Sequence, residues 1–260
     1  MAWHAEPLVG FDLETTGTEP LEARIVTAAI VEVGPRGIAR RTWLADPGVR
    51  IPPQASAIHG ISSERAAAEG RPAREVADEI AETLTDCWRR GVPVVAYNAA
   101  FDLTLLSAEL RRHGLPSLAE RGFDAAGGTG PVIDPYTIDR AVDRYRKGKR
   151  TLEAVCAEYG IRLDDAHEAG ADALAAVRVA RAIAERHEAV AAMAPAELHE
   201  RQIRWYAQWA ADFQRFLRRK GDAGAVVDPA WPLRALPPSP AVLSPTLPLR
   251  PGGVGGPPLP

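Results

Sequence analysis

Cysteine is scarce in this 260-residue chain, which holds only Cys87 and Cys156, both in segments of helical pattern. With no further thiols and no thiol motif, a disulfide framework is excluded; two reduced, buried thiols of a cytosolic protein are expected. Long apolar runs are missing too. No uninterrupted stretch approaches the ~18 residues a membrane helix needs. The opening Met1-Ala2-Trp3-His4-Ala5-Glu6-Pro7 has no basic region leading into an apolar one. Export and membrane insertion are therefore not expected, and a cytoplasmic location is. The chain also lacks a dominant charge, its formal net value being −3. That argues against a protein that coats nucleic acid by charge alone. It leaves room for an enzyme whose bound cations supply positive charge locally.

What is present is the composition of a folded globular chain, 46% hydrophobic and 25% charged, long enough for one sizeable core and an appendage. The apolar run Leu8-Val9-Gly10-Phe11-Asp12-Leu13, closed by Thr15-Thr16-Gly17-Thr18, predicts a buried strand ended by a turn. Residues 24–33 and 38–44 predict two more strands, joined through Gly34-Pro35-Arg36-Gly37. Connections this short make the three an antiparallel meander. Helical spacing follows at 75–84, 101–112, 152–159 and 168–188, with short strands at 93–96 and 131–133. Asp134 and Pro135 open a further helix as cap and first-turn residue. Strands followed by alternating strands and helices imply an α/β fold, a mixed sheet with helices packed on it. Residues 195–220 predict an amphipathic helix with Trp205, Trp209, Phe213 and Phe216 as one stripe that packs onto the domain or onto a partner. Residues 221–260, with eleven prolines and six glycines, predict a disordered tail in which Trp231 alone offers a docking residue.

Three acidic segments carry the chemistry. Asp12 and Glu14 stand two apart at the end of a buried strand, so both carboxylates share one face. Held together they repel, and a divalent cation between them removes the penalty; hard oxygen donors without a Cys or His cluster favour Mg²⁺ or Mn²⁺ over zinc. Such a pair also fits a solvated rim. Asp102 follows the strand Val94-Val95-Ala96 near a helix start, a place open α/β sheets use for ligands and one that acids favour in any case. Asn98 fits a cap of that helix. His167 stands at the mouth of the last long helix, as a base or a simple cap, with Asp172 just over a turn inside and small neighbours Ala169, Gly170, Ala171 and Ala173.

In order and spacing, Phe11-Asp12-Leu13-Glu14-Thr15-Thr16-Gly17, Asn98-Ala99-Ala100-Phe101-Asp102-Leu103 and His167-Glu168-Ala169-Gly170-Ala171-Asp172-Ala173 resemble the three motifs of the DEDDh-type (DnaQ-like) 3′–5′ exonucleases, a superfamily that includes proofreading subunits of bacterial DNA polymerase III. The resemblance spans residues 7–184. It implies a ribonuclease H-like fold with a mixed five-stranded sheet, an exonuclease domain over 1–190, and two metal ions, Mg²⁺ or Mn²⁺, held by Asp12, Glu14, Asp102 and Asp172. It implies His167 as general base, and Thr15, Thr16, His59 and Phe101, with Asn98 beside them, lining the pocket for the terminal nucleotide.

The basic run Arg140, Arg144, Arg146, Lys147, Lys149 and Arg150 fits a polyanion track or a solvated loop. Arg146, Lys147, Lys149 and Arg150 are the candidate contacts to a phosphate backbone. The resemblance makes single-stranded DNA or RNA 3′ ends the expected substrates, in repair or nucleic-acid turnover. Attachment to a DNA polymerase or another protein through the C-terminal helix and tail, RNA trimming, and an inactive binding module are the alternatives.

Overall fold

The computed structural model describes residues 2–124, 130–163 and 166–236. After a single turn at Trp3–Ala5 the meander forms as expected, from β1 (Leu8–Thr15), β2 (Ile25–Gly34) and β3 (Gly37–Asp46). Two short helices that the sequence pattern did not announce follow, α1 (Pro53–His59) and α2 (Ser63–Glu69), then a two-residue strand β4 (Arg71–Pro72) and α3 (Ala73–Arg89). The second half alternates: β5 (Val94–Val95), α4 (Ala99–Arg112), β6 (Val132–Ile133), α5 (Pro135–Val142), α6 (Leu152–Glu158), α7 (Ala169–Arg186) and α8 (Glu188–Ala191), before the long α9 (Pro195–Arg219).

The sheet runs β4-β3-β2-β1-β5-β6, with β2 antiparallel to β1 and β3, and β5 and β6 parallel to β1. It has six strands rather than five. The addition is β4, parallel to β3 at Ala45 and Asp46 and too short to leave an alternating pattern in the sequence. Side chains of β1 alternate between two layers. Val9, Phe11 and Leu13 join a core with α3 and α4, whereas Leu8 joins a second core with α7. Gly10, Asp12 and Glu14 share the second face. A Cβ on Gly10 would sit 2.2 Å from the carbonyl oxygen of Ala173, so glycine is what lets α7 lie directly on β1.

Helix α9 belongs to the domain, and only the first half of the expected stripe, Trp205 and Trp209, packs against its cores. Its buried residues are Leu198, His199, Gln202, Tyr206 and Ala210, while Trp205 and Trp209 are half-buried and Phe213 and Phe216 exposed. The amide of Val132 donates to His199 Nδ1 (2.9 Å), Gln202 Nε2 donates to the Val132 carbonyl (2.9 Å), and the Asp134 amide donates to Gln202 Oε1 (2.6 Å). Two side chains thus stand in for a missing strand along the outer edge of β6.

Residues 221–236 depart from the expectation of disorder and return to the domain. Trp231 is buried against His199 and donates its indole N–H to Asp134 Oδ2 (3.1 Å). The rest of the expected tail, 237–260, lies outside the described residues. Among the described residues no helix is long and apolar enough to cross a membrane.

Candidate active site

The site lies where β1 outruns its parallel neighbour. Pairing of β1 with β5 stops at Gly10, and the amide of Leu13 donates instead to Asp102 Oδ1 (3.1 Å) from the first turn of α4. Asp102 is thereby drawn to the strand that carries Asp12 and Glu14. Close packing of α7 on Gly10 brings Asp172 in from the other side. Carboxylates from one strand and two helices converge.

Their electrostatics are those of an acidic cluster short of positive charge. Burial, then the Asp102, Asp172, Glu14 and Glu168 carboxylates, push Asp12 well above the usual range. Burial raises Asp102 likewise, against a partial counter-pull from the Leu13 amide. Glu14 is pushed up to about 8 by burial and by Asp172 and Glu168, and Asp172 to about 6, chiefly by burial. Asp172 Oδ2 accepts the His167 amide (3.2 Å), while its buried Oδ1 has no hydrogen-bond partner among the described residues. Ligand atoms of Glu14, His167 and Asp172 lie within 4.8 Å of one another. An orphaned oxygen among mutually repelling carboxylates is a donor set suited to a hard divalent cation.

His167 does not cap α7. That role falls to Glu168, whose side chain accepts from Gly170 (3.3 Å) and Ala171 (3.1 Å). His167 itself takes a left-handed backbone, φ 68°, and its ring stands half in solvent with Nε2 3.3 Å from Glu153 Oε1. The Glu153 carboxyl, in the first turn of α6, is held below its usual value, first by the Thr151 hydroxyl.

Around this centre, Thr15 and Thr16 shape the turn after β1. The Thr15 hydroxyl donates to the Gly17 carbonyl (2.7 Å), and the Thr16 hydroxyl accepts the Arg24 amide (2.9 Å). His59, at the end of α1, sits by the Thr15 backbone; burial, and then His167, pull its imidazole below the ordinary value. Phe101 is half-buried in the first turn of α4. Asn98 departs from expectation. It occupies the cap position, yet its side chain makes no capping bond; it supplies a left-handed backbone, φ 64°, and its amide donates to Asp134 Oδ1 (2.9 Å). Asparagine tolerates that conformation better than most residues.

The basic run divides. Arg146 and Arg150 turn inward and pair with the buried Asp139, which also accepts the Tyr159 hydroxyl (3.2 Å). They pin the loop after α5, where Asp139 pairs with both and Asp143 pairs with Arg146 as well (3.3 Å). Lys147 and Lys149 remain exposed. In the linear sequence Glu153 and Glu168 look like ordinary acids at helix starts, and Asp134, expected only as a cap, also receives Asn98 and Trp231.

Comparison with known proteins gives the same picture. The sequence profile of the Exonuclease family (RNase_T) matches residues 9–180. DNA polymerase III subunit epsilon of Treponema pallidum (strain Nichols) is 30% identical over 167 residues, which cover 63% of this chain and 69% of that protein. DNA polymerase III PolC-type of Streptococcus thermophilus (strain ATCC BAA-491 / LMD-9) is 28% identical over 173 residues, covering 66% of this chain but 11% of the polymerase. Among solved structures, E. coli exonuclease I in complex with a dT13 oligonucleotide superposes with a TM-score of 0.59 at 21% identity, over 71% of this chain and 42% of the other. Exonuclease I from Methylocaldum szegediense gives 0.57 at 24% identity, over 81% and 46%. The chain therefore spans less than half of those two exonucleases, and at such identities the likeness speaks for the fold alone. By the profile match and the treponemal relative together, the chain belongs to the exonuclease family, among the DnaQ-like 3′–5′ exonucleases.

Proposed function

We propose that this protein hydrolyses the terminal phosphodiester of single-stranded DNA from the 3′ end, releasing nucleoside monophosphates, in repair or nucleic-acid turnover in the cytoplasm. The observation that carries this is the convergence of Asp12, Glu14, Asp102 and Asp172, with all four carboxyls pushed upward and Asp172 Oδ1 left without a partner among the described residues. The four would hold two Mg²⁺ or Mn²⁺ ions. When bound, such a pair supplies charge that activates water and offsets the negative charge of the reacting phosphate. His167, half in solvent beside Asp172, takes the proton of the attacking water. Glu153 at 3.3 Å orients its ring. His59, Thr15, Thr16, Asn98 and Phe101 would bound the terminal nucleotide. No covalent intermediate with the protein is required.

The test is incubation with 5′-labelled single-stranded DNA and matched RNA in Mg²⁺, Mn²⁺ or EDTA, beside Asp12→Ala. A metal-dependent ladder of shortened strands, absent from the variant, is expected, with DNA cut faster than RNA. Faster cutting of RNA would reassign the substrate; no shortening with either metal would overturn the proposal. The treponemal relative is named as a subunit of DNA polymerase III, and this favours a second reading, a proofreading exonuclease docked through α9. A stable complex with the replicative polymerase on size exclusion would support it.

A further inference from the structure

A cavity of about 720 Å³ opens between α5, α9 and the loop that precedes α6. Tyr136, Arg140, Arg144, Lys149, Trp205 and Trp209 line it. Arg140 is its unusual member. The guanidinium lies between two rings, 4.1 Å from the Tyr136 centroid and 4.0 Å from that of Trp209, and its buried Nη1 has no hydrogen-bond partner among the described residues. A buried arginine normally meets a carboxylate or carbonyl. Here the one carboxylate lining the cavity, Asp212, is shared by Arg144 (2.7 Å) and Arg215. Lys149 adds exposed positive charge at the rim. The cavity thus sets the cations Arg140, Arg144, Lys149 and Arg150 beside an indole, Trp205, on its wall.

One segment links the cavity to the acidic cluster along the chain. Thr151 lines the cavity and caps α6, and two residues on, Glu153 reaches His167. Beyond the cavity wall, α9 continues as an aromatic ladder. Trp209 stacks on Phe213 (5.5 Å between centroids) and Phe213 on Phe216 (6.2 Å), the two phenylalanines exposed among Arg215, Arg218 and Arg219. Aromatic faces interleaved with cations are the chemistry that holds single strands.

We infer that this cavity is a second nucleotide subsite, taking an upstream nucleoside-phosphate unit of the strand whose 3′ end lies at Asp12, with the phosphate at Arg140 and Lys149 and the base against Trp205. This rests on the exonuclease reading and extends it to how the strand is held. An anion with an attached aromatic base satisfies both halves of the cavity, whereas a bare anion would leave Trp205 unused.

The test uses the full chain in EDTA, where no strand is shortened. Fluorescence anisotropy of 5′-labelled dT2 and dT8 would be compared for the unaltered protein, Arg140→Gln, Trp205→Leu and Lys149→Glu. The last lies on an exposed loop, so it probes charge without disturbing the core. The ratio of dT8 to dT2 affinity is expected to fall roughly tenfold in each variant, the loss of about one stacked or ion-paired unit. Titration of tryptophan fluorescence with dTMP separates the two sources of the same chemistry. Quenching that Lys149→Glu abolishes, with an unchanged length ratio, would place a free nucleotide in the cavity instead of a strand unit. An unchanged ratio and no dTMP quenching would overturn the subsite altogether. A lowered ratio in a protein that cuts nothing would leave the subsite standing and remove the catalytic reading. Normal cutting with an unchanged ratio and no quenching would do the reverse.

Discussion

At the scale of single residues, the proposed catalytic cluster is a local instability. Glu14 and Asp172 hold protons in the fold at pH values where the unfolded chain has released them, their carboxyls standing at about 8 and about 6 against ordinary values of 4.5 and 3.8. The folded form binds more protons through that interval, so metal-free stability falls as pH rises from about 4 to about 8. Melting in EDTA should therefore shift to lower temperature across this range. Saturating Mn²⁺ should restore it, and by more at pH 8 than at pH 6, since the ion competes with protons for the same oxygens. A flat pH dependence with no metal shift would show that the carboxylates do not act as a unit. Asp12→Asn tests the same repulsion. It should raise the metal-free melting temperature while lowering turnover by at least about a hundredfold; a lower melting temperature would contradict the electrostatic account. The acids were legible because their order and spacing survive in the linear chain. Glu153 was not, because its distance to His167 depends on where α6 lands.

At the scale of elements, the close seat of α7 on β1 decides whether the acids meet. Gly10→Ala would place a methyl group 2.2 Å from the Ala173 carbonyl oxygen, a backbone atom that cannot swing aside. The helix must lift. A loss of about 1–3 kcal/mol in urea denaturation is expected, together with weaker Mn²⁺ affinity because Asp172 retreats from Asp12. Full stability and unchanged metal affinity in this variant would show that the seat is looser than described. The meander and most helices could be read from periodicity and caps. Asp134 accepts the amides of Tyr136 and Thr137 as a helix cap should. The pair α1 and α2 escaped notice because each is only seven residues long and neither presents a clear apolar stripe; α1 buries no residue at all.

At the scale of the whole molecule, the C-terminal segment completes the domain. Although every proposed catalytic residue precedes it, a chain ending at residue 194 would leave the outer edge of β6 unpaired and Asp134 stripped of its Gln202 and Trp231 contacts. Buried polar groups left without partners cost about 1–3 kcal/mol each, so this truncation should aggregate or melt well below the full chain. An equally stable, active truncation would show α9 to be an accessory.

By itself, the sequence determined the meander, most helices and the order of the proposed catalytic acids, since strand alternation, helix periodicity, capping and motif spacing are relations between near neighbours. Tertiary structure alone decided that Arg146 and Arg150 turn to Asp139 while Lys149 faces solvent. It also decided that α9 buries His199 and Gln202 while Phe213 and Phe216 of its aromatic stripe stay exposed. A buried polar group takes whichever partner the fold brings within hydrogen-bonding distance, and for His199 and Gln202 that partner lies some seventy residues away along the chain.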